Sequence, residues 1–185
     1  MPPILHQLPN LITMIRIALV VPIAWYIHDG SYTRATSLFI IAGISDGLDG
    51  LLARRFNWHS RFGAIADPIA DKLLLSVSFV LLAYVGQLPI WLASIVIGRD
   101  LIIFGGATLY HFVSGPYDME PSILGKISTF CQLLLVSVIL LHNSFLPFDR
   151  VLIEINIGLV AFICLVSGAS YVITWWNKYQ HPTNG

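Results

Sequence analysis

Four aspartates sit close together in a chain that is otherwise largely apolar. They fall in Asp46-Gly47-Leu48-Asp49-Gly50-Leu51-Leu52-Ala53-Arg54 and, eight residues further on, in Gly63-Ala64-Ile65-Ala66-Asp67-Pro68-Ile69-Ala70-Asp71. A carboxylate at membrane depth costs about 3 kcal/mol or more. Several held together repel one another unless a cation intervenes. Carboxylate oxygens suit Mg²⁺ or Mn²⁺, whose sites usually include substrate phosphates as ligands. Two such ions about 3.5–4 Å apart could share four carboxylates and stabilise both oxygens of a displacement at phosphorus. The residue types therefore point to an enzyme that handles phosphates at a membrane. A capping role, with Asp67 as the N-cap before Pro68, would account for one aspartate but not for four at this spacing.

On a helix, Asp46, Asp49, Gly50 and Ala53 are spaced i, i+3, i+4, i+7 and share one face. Gly63, Asp67 and Asp71 follow at i, i+4, i+8, again on one face. The short connector between the two halves predicts antiparallel neighbours whose polar faces meet. Gly50 and Ala53 leave the first face nearly bare, so a flat group such as a base or ribose can approach the backbone. Arg54 and Arg61 supply charge for a diphosphate.

The elements that must hold these residues are membrane helices. Of 185 residues 56% are hydrophobic and 11% charged, with a formal net charge of zero; the mean hydropathy is +0.78. A soluble domain carries about 25% charged residues, so the surplus apolar surface must face lipid. The balanced charge offers no basic patch for nucleic acid, and no nucleic-acid partner is expected. Cys131 and Cys164 lie in separate apolar runs and read as small buried hydrophobes, not a disulfide or metal site. Met1 to Asn10 lacks a basic start and no small-residue cleavage site follows, so no cleavable signal is expected.

Spanning takes about 20 mostly apolar residues. Six segments qualify: Leu11–Ile27, Ala35–Arg54, Ile69–Val85, Pro89–Val113, Ser122–His142 and Leu152–Trp176. Turn chemistry separates them at His28-Asp29-Gly30-Ser31, at Gly86-Gln87-Leu88-Pro89, at Ser114-Gly115-Pro116-Tyr117-Asp118 and from Asn143 to Arg150. The expected architecture is all-α: a polytopic six-transmembrane-helix bundle, one domain over residues 1–185, with no internal repeat. Met1 to Pro9 reads either as a short interfacial helix or as a frayed terminus. Arg54, Arg55, Arg61 and Lys178 on one side outnumber Arg34 and Arg150 on the other, which places the N-terminus, the aspartate end and the C-terminus in the cytoplasm. Trp175, Trp176 and Tyr179 read as an interfacial anchor.

The pattern D-x2-D-G-x2-A-R-x8-G-x3-D-x3-D resembles, at every fixed position, the signature of the CDP-alcohol phosphatidyltransferases. The resemblance covers essentially the whole chain. It implies transfer of a phosphatidyl group from CDP-diacylglycerol to an alcohol with release of CMP. By that resemblance Asp46, Asp49, Asp67 and Asp71 hold one or two Mg²⁺ or Mn²⁺ ions, and Asp71 also takes the proton of the attacking hydroxyl. Asp46, Gly50, Ala53, Arg54 and Gly63 match positions near the CDP moiety. The resemblance also implies a homodimer in the lipid bilayer, in a bacterial inner membrane or its mitochondrial equivalent.

Two subfamilies compete for the acceptor. Pro9-Asn10-Leu11-Ile12-Thr13-Met14-Ile15-Arg16 resembles a start shared by phosphatidylglycerophosphate synthases and CMP-forming cardiolipin synthases, which puts Asn10 and Thr13 on the nucleotide side. Tyr84-Val85-Gly86-Gln87-Leu88-Pro89 and Gly98-Arg99-Asp100-Leu101-Ile102 resemble the cardiolipin synthases, which use phosphatidylglycerol. Pro121-Ser122-Ile123-Leu124-Gly125-Lys126-Ile127-Ser128-Thr129 does so too but departs at Gly125, since a Gly-Lys pair is closer to the enzymes that use glycerol-3-phosphate. Arg61, Arg99 and Lys126 are the candidates for the acceptor's phosphate. Arg99 and Lys126 lie within expected spans, where a cation is costly and usually functional. Asp100 is expected to be a poor partner for Arg99, because adjacent helical residues do not face each other. A carrier using the aspartates as a cation path would show repeats and interrupted helices; neither is visible.

Overall fold

The computed structural model describes residues 8–56, 61–114 and 123–180. These form six helices: α1 (Leu8–His28), α2 (Tyr32–Phe56), α3 (Arg61–Tyr84), α4 (Ile90–Ser114), α5 (Ile123–Ser144) and α6 (Arg150–Gln180). The expected all-helical class and the order of elements hold. Each helix has the 20 or so residues needed to cross a bilayer. Among the described residues, three are also apolar enough: Leu11–His28, Ile123–Ser144 and Arg150–Thr174. Six spans were expected. One reason for the shortfall is in α3, whose first half carries Asp67, Asp71 and Lys72.

Glycine and capping residues set the helix ends. Gly30 has φ +73°; its N–H donates to the Ile27 carbonyl at 3.2 Å, and that of Asp29 donates to Trp25 at 2.9 Å. Gly86 has φ +77°, and Gln87 N–H donates to Leu82 at 2.8 Å. Both glycines close a helix in the left-handed conformation that other residues adopt only with strain. Asp149 opens α6 by accepting the Val151 N–H at 3.0 Å, and His142 Nδ1 ties down the preceding turn by accepting the Phe148 N–H at 2.9 Å.

α3 begins at Arg61, eight residues before the expected span. Hydropathy finds where a helix meets lipid, not where it starts, and charged residues sit readily in a helix. Asp67 and Pro68 are therefore helix interior, which rules out Asp67 as an N-cap. α1 likewise starts at Leu8, so Pro9 falls in its first turn, where the missing N–H is harmless. The rest of the proposed interfacial segment lies outside the described residues.

The chain divides into two compact units. One contains α1, α2, α3 and the second half of α5. In it α1 packs against both α2 and α3, over buried Ile23, Ile27, Phe39, Ala42, Leu74 and Phe79. Thr36 Oγ1 donates to the α5 carbonyl of Leu140 at 3.0 Å, a polar tie of the kind that links helices when both sides are apolar. The other unit contains α4, the first half of α5 and α6, with α4 against α6. Its interior mixes Leu92, Val96, Leu135 and Val160 with Ser128, Gln132 and Ser167. Gln132 Nε2 donates to Cys164 Sγ at 3.2 Å. Both cysteines are free and buried, as expected.

Candidate active site

The site lies in the first unit, on three helices. The buried stripe of α1 runs Thr13, Arg16, Ile23, Ile27, so its first two members carry polar groups into a helix contact. On α3, which packs against α1, Ala66 and Ala70 are both buried. These small side chains let α1 come close and bring the neighbouring Asp67 and Asp71 within reach. The α2 backbone is helical through Phe56 and the α3 backbone from Arg61, so both halves of the aspartate motif ride on continuous helix.

One nitrogen joins the two halves. Nη1 of Arg16 lies 2.8 Å from Oδ1 of Asp46 on α2 and donates to Oδ1 of Asp71 on α3 at 2.9 Å. The two carboxylate oxygens are thus no further apart than two hydrogen bonds laid end to end. Arg16 is 1% exposed, whereas the Asp46 and Asp71 side chains are 46% and 43% exposed. The guanidinium forms an inner wall and the carboxylates open outward. Beside them Thr13 Oγ1, fully buried, donates to Oδ1 of Asp67. The structure therefore brings Asp46, Asp67, Asp71 and Thr13 into one place. Thr13, expected on the nucleotide side, here donates to an aspartate of the motif.

The donor set suits a hard divalent cation. Among the described residues no three acids or imidazoles close on a single point. Asp46 and Asp71 do converge, and they are open on the far side from Arg16. Mg²⁺ is commonly held by one or two carboxylates with waters and substrate phosphates completing the shell, so a convergent pair fits. Asn10, Asp49, Gly50, Ala53, Arg54, Arg61 and Gly63 lie on helical backbone, with their side chains outside the described residues.

Arg16 was not singled out from the sequence, though the signal was available. It is the sole charged residue between Leu11 and Ile27, and a cation in such a run is usually paired and functional. That argument was applied to Arg99 and Lys126 and not to Arg16.

Arg99 and Lys126 belong to the second unit. Arg99 is buried; its Nη1 donates to Asp100 Oδ1 at 2.7 Å and its Nη2 to Ser167 Oγ at 2.8 Å. The expectation that Asp100 is a poor partner is thus corrected. Adjacent Cβ atoms diverge around a helix, but the arginine stem is long enough to fold back. Here its Cγ runs past Gly168, 3.6 Å from where a Cβ would stand. Arg99→Met is expected to cost about 3–5 kcal/mol, as breaking a buried pair does. Arg99→Met with Asp100→Asn should recover part of that loss, read as the thermal midpoint in detergent. Lys126 is exposed on the first turn of α5.

Comparison with known proteins places this geometry. Residues 6–176 match the model of the CDP-alcohol phosphatidyltransferase family, a stretch that contains the whole aspartate motif. The chain is 34% identical to the CDP-diacylglycerol–glycerol-3-phosphate 3-phosphatidyltransferase of Bacillus subtilis, over 95% of this chain and 98% of that protein. It is 36% identical to a probable CMP-forming cardiolipin synthase of Drosophila melanogaster, over 94% of this chain and 59% of that protein. It is 30% identical to the human CMP-forming cardiolipin synthase, over 89% of this chain and 60% of that protein. An apolar helical chain with paired aspartates on two helices that both pack against α1, matched along nearly its full length, belongs to the CDP-alcohol phosphatidyltransferase family and is an enzyme of phospholipid synthesis.

Proposed function

We propose that the chain, as one membrane domain over residues 1–185, transfers the phosphatidyl group of CDP-diacylglycerol to phosphatidylglycerol, giving cardiolipin and CMP. The observation that carries the site assignment is the convergence of Asp46 and Asp71 on one buried guanidinium nitrogen. The acceptor hydroxyl oxygen forms a bond to the phosphorus that bears diacylglycerol, and the bond from that phosphorus to the CMP oxygen breaks. The hydroxyl proton passes to Asp71. Since Arg16 engages Oδ1 of Asp71, we assign the proton to Oδ2. A base placed this way is worth about 10²–10⁴ in rate. A divalent cation held by Asp46, Asp49, Asp67 and Asp71 supplies, when bound, charge to offset the diphosphate and the departing CMP.

By the family resemblance we assign Asn10, Thr13, Asp46, Gly50, Ala53, Arg54 and Gly63 to the nucleotide side, and Arg61, Arg99 and Lys126 to the acceptor's phosphate. Arg99 gives one bond from Nη1 to Asp100 and one from Nη2 to Ser167, and its Nε has no partner among the described residues, so N–H donors remain for an acceptor phosphate. In this reading the enzyme is a homodimer in a bacterial or mitochondrial inner membrane, with its aspartates toward the cytoplasm or the equivalent compartment.

Glycerol-3-phosphate is the second reading. The Gly125-Lys126 pair supports it, as does a Bacillus relative of that name matched over 98% of its length. Purified protein given CDP-diacylglycerol, a divalent cation and each acceptor in turn should yield cardiolipin from phosphatidylglycerol, identified by mass. Product from glycerol-3-phosphate alone would replace the first reading with the second.

A further inference from the structure

We infer that Arg16 is a positioning residue of the metal site, and that α1 supplies the site's inner wall. The inference rests on the reading that Asp46 and Asp71 hold a divalent cation. Three observations carry it. First, one nitrogen of Arg16 contacts Oδ1 of both aspartates, at 2.8 and 2.9 Å, although they stand on different helices. That contact fixes the orientation of each carboxylate and the spacing between them. Second, burial is graded across the contact: the guanidinium is shut away while each aspartate is nearly half exposed. The oxygens not engaged by Nη1 are then the ones a ligand entering from the open side can meet. Third, Thr13 lies one turn away on the same face of α1 and donates to Asp67. One face of α1 thereby touches three of the four motif aspartates, which the motif itself, confined to α2 and α3, does not reveal.

Two effects of Arg16 oppose each other. Its charge repels an entering cation, while its hydrogen bonds hold two mutually repelling carboxylates on one target. The charge is already offset by the two carboxylates it contacts, so orientation is the larger effect. Outer-layer partners of metal ligands typically contribute 10–100-fold in metal affinity. Arg16 contacts two ligands at once, and a loss in that range is expected when it is removed.

The test is Mn²⁺ binding to the purified full chain in detergent or nanodiscs, followed by the electron paramagnetic resonance of free Mn²⁺, with no lipid substrate present. Wild type should bind Mn²⁺, and Asp46→Asn should lose most of that binding. Arg16→Gln, with its helical circular dichroism retained, should bind about 10–100-fold more weakly. Arg16→Lys keeps the charge with a shorter reach and should recover part of the loss. Arg16→Gln binding as tightly as wild type, or more tightly, overturns the positioning role. If Arg16→Gln does not fold, Arg16→Lys decides in its place: about a threefold to tenfold loss supports the role and unchanged affinity overturns it. If wild type binds no Mn²⁺, or Asp46→Asn binds like wild type, the metal reading fails and the role of Arg16 falls with it.

Discussion

Asp71→Asn is expected to reduce CMP release by at least about a thousandfold while leaving the helical fold intact. The magnitude follows from two losses at one side chain. The amide no longer accepts the acceptor's proton, which alone is worth about 10²–10⁴. It also replaces an anionic oxygen with a weaker ligand at a site built to face positive charge. The fold should tolerate the change, because asparagine is nearly isosteric and its amide oxygen can still accept from Arg16 Nη1, now 2.9 Å from Asp71. Circular dichroism and gel filtration check the fold, and nucleotide chromatography checks CMP. Asp67→Asn should do less than Asp71→Asn, since Asp67 is assigned as a ligand and not as the base. Equal activity in wild type and Asp71→Asn would remove the base from the proposal.

Chelation is the second large effect. EDTA should lower transfer by at least about a hundredfold, and added Mg²⁺ or Mn²⁺ should restore it. A bound cation at a phosphoryl centre stabilises developing charge by several kcal/mol, and each 1.4 kcal/mol is a factor of ten in rate. The structure gives a reason to expect full dependence. Of the three aspartates at the α1 face, Arg16 contacts Asp46 and Asp71 and Thr13 contacts Asp67, so under the proposed reading the surroundings stay acidic where the anionic diphosphate enters. Without an added cation, substrate and site repel each other. Transfer that persists undiminished in EDTA would mean that the arginines alone neutralise the diphosphate.

Much of this was legible in the sequence, for reasons that differ from residue to residue. The helical placement of Asp46, Asp67 and Asp71 followed from spacing, because i, i+4 periodicity is a property of the backbone and needs no partner. Gly30 and Gly86 marked helix ends because the left-handed conformation is cheap for glycine. The start of α3 was missed because charged residues end an apolar run without ending a helix. Arg16 was passed over although a lone cation in an apolar run is a local signal; its partners come from the packing of α1 against α2 and α3, a long-range contact that no local spacing encodes. The Arg99–Asp100 pair was misjudged because the rule for neighbouring helical positions describes Cβ directions and not the reach of a long side chain. The acceptor stayed open because the residues proposed for it sit outside the aspartate motif, in the least regular part of the family resemblance.

The central claim is that this site releases CMP from CDP-diacylglycerol by transfer to an alcohol. Its most direct test is to incubate purified protein with CDP-diacylglycerol and Mn²⁺, with and without phosphatidylglycerol or glycerol-3-phosphate, and to quantify CMP and lipid product together. The account predicts CMP and a new phospholipid in equal amounts, formed with an acceptor present and abolished in Asp46→Asn. CMP release that is indifferent to acceptor, or that survives Asp46→Asn unchanged, would contradict it.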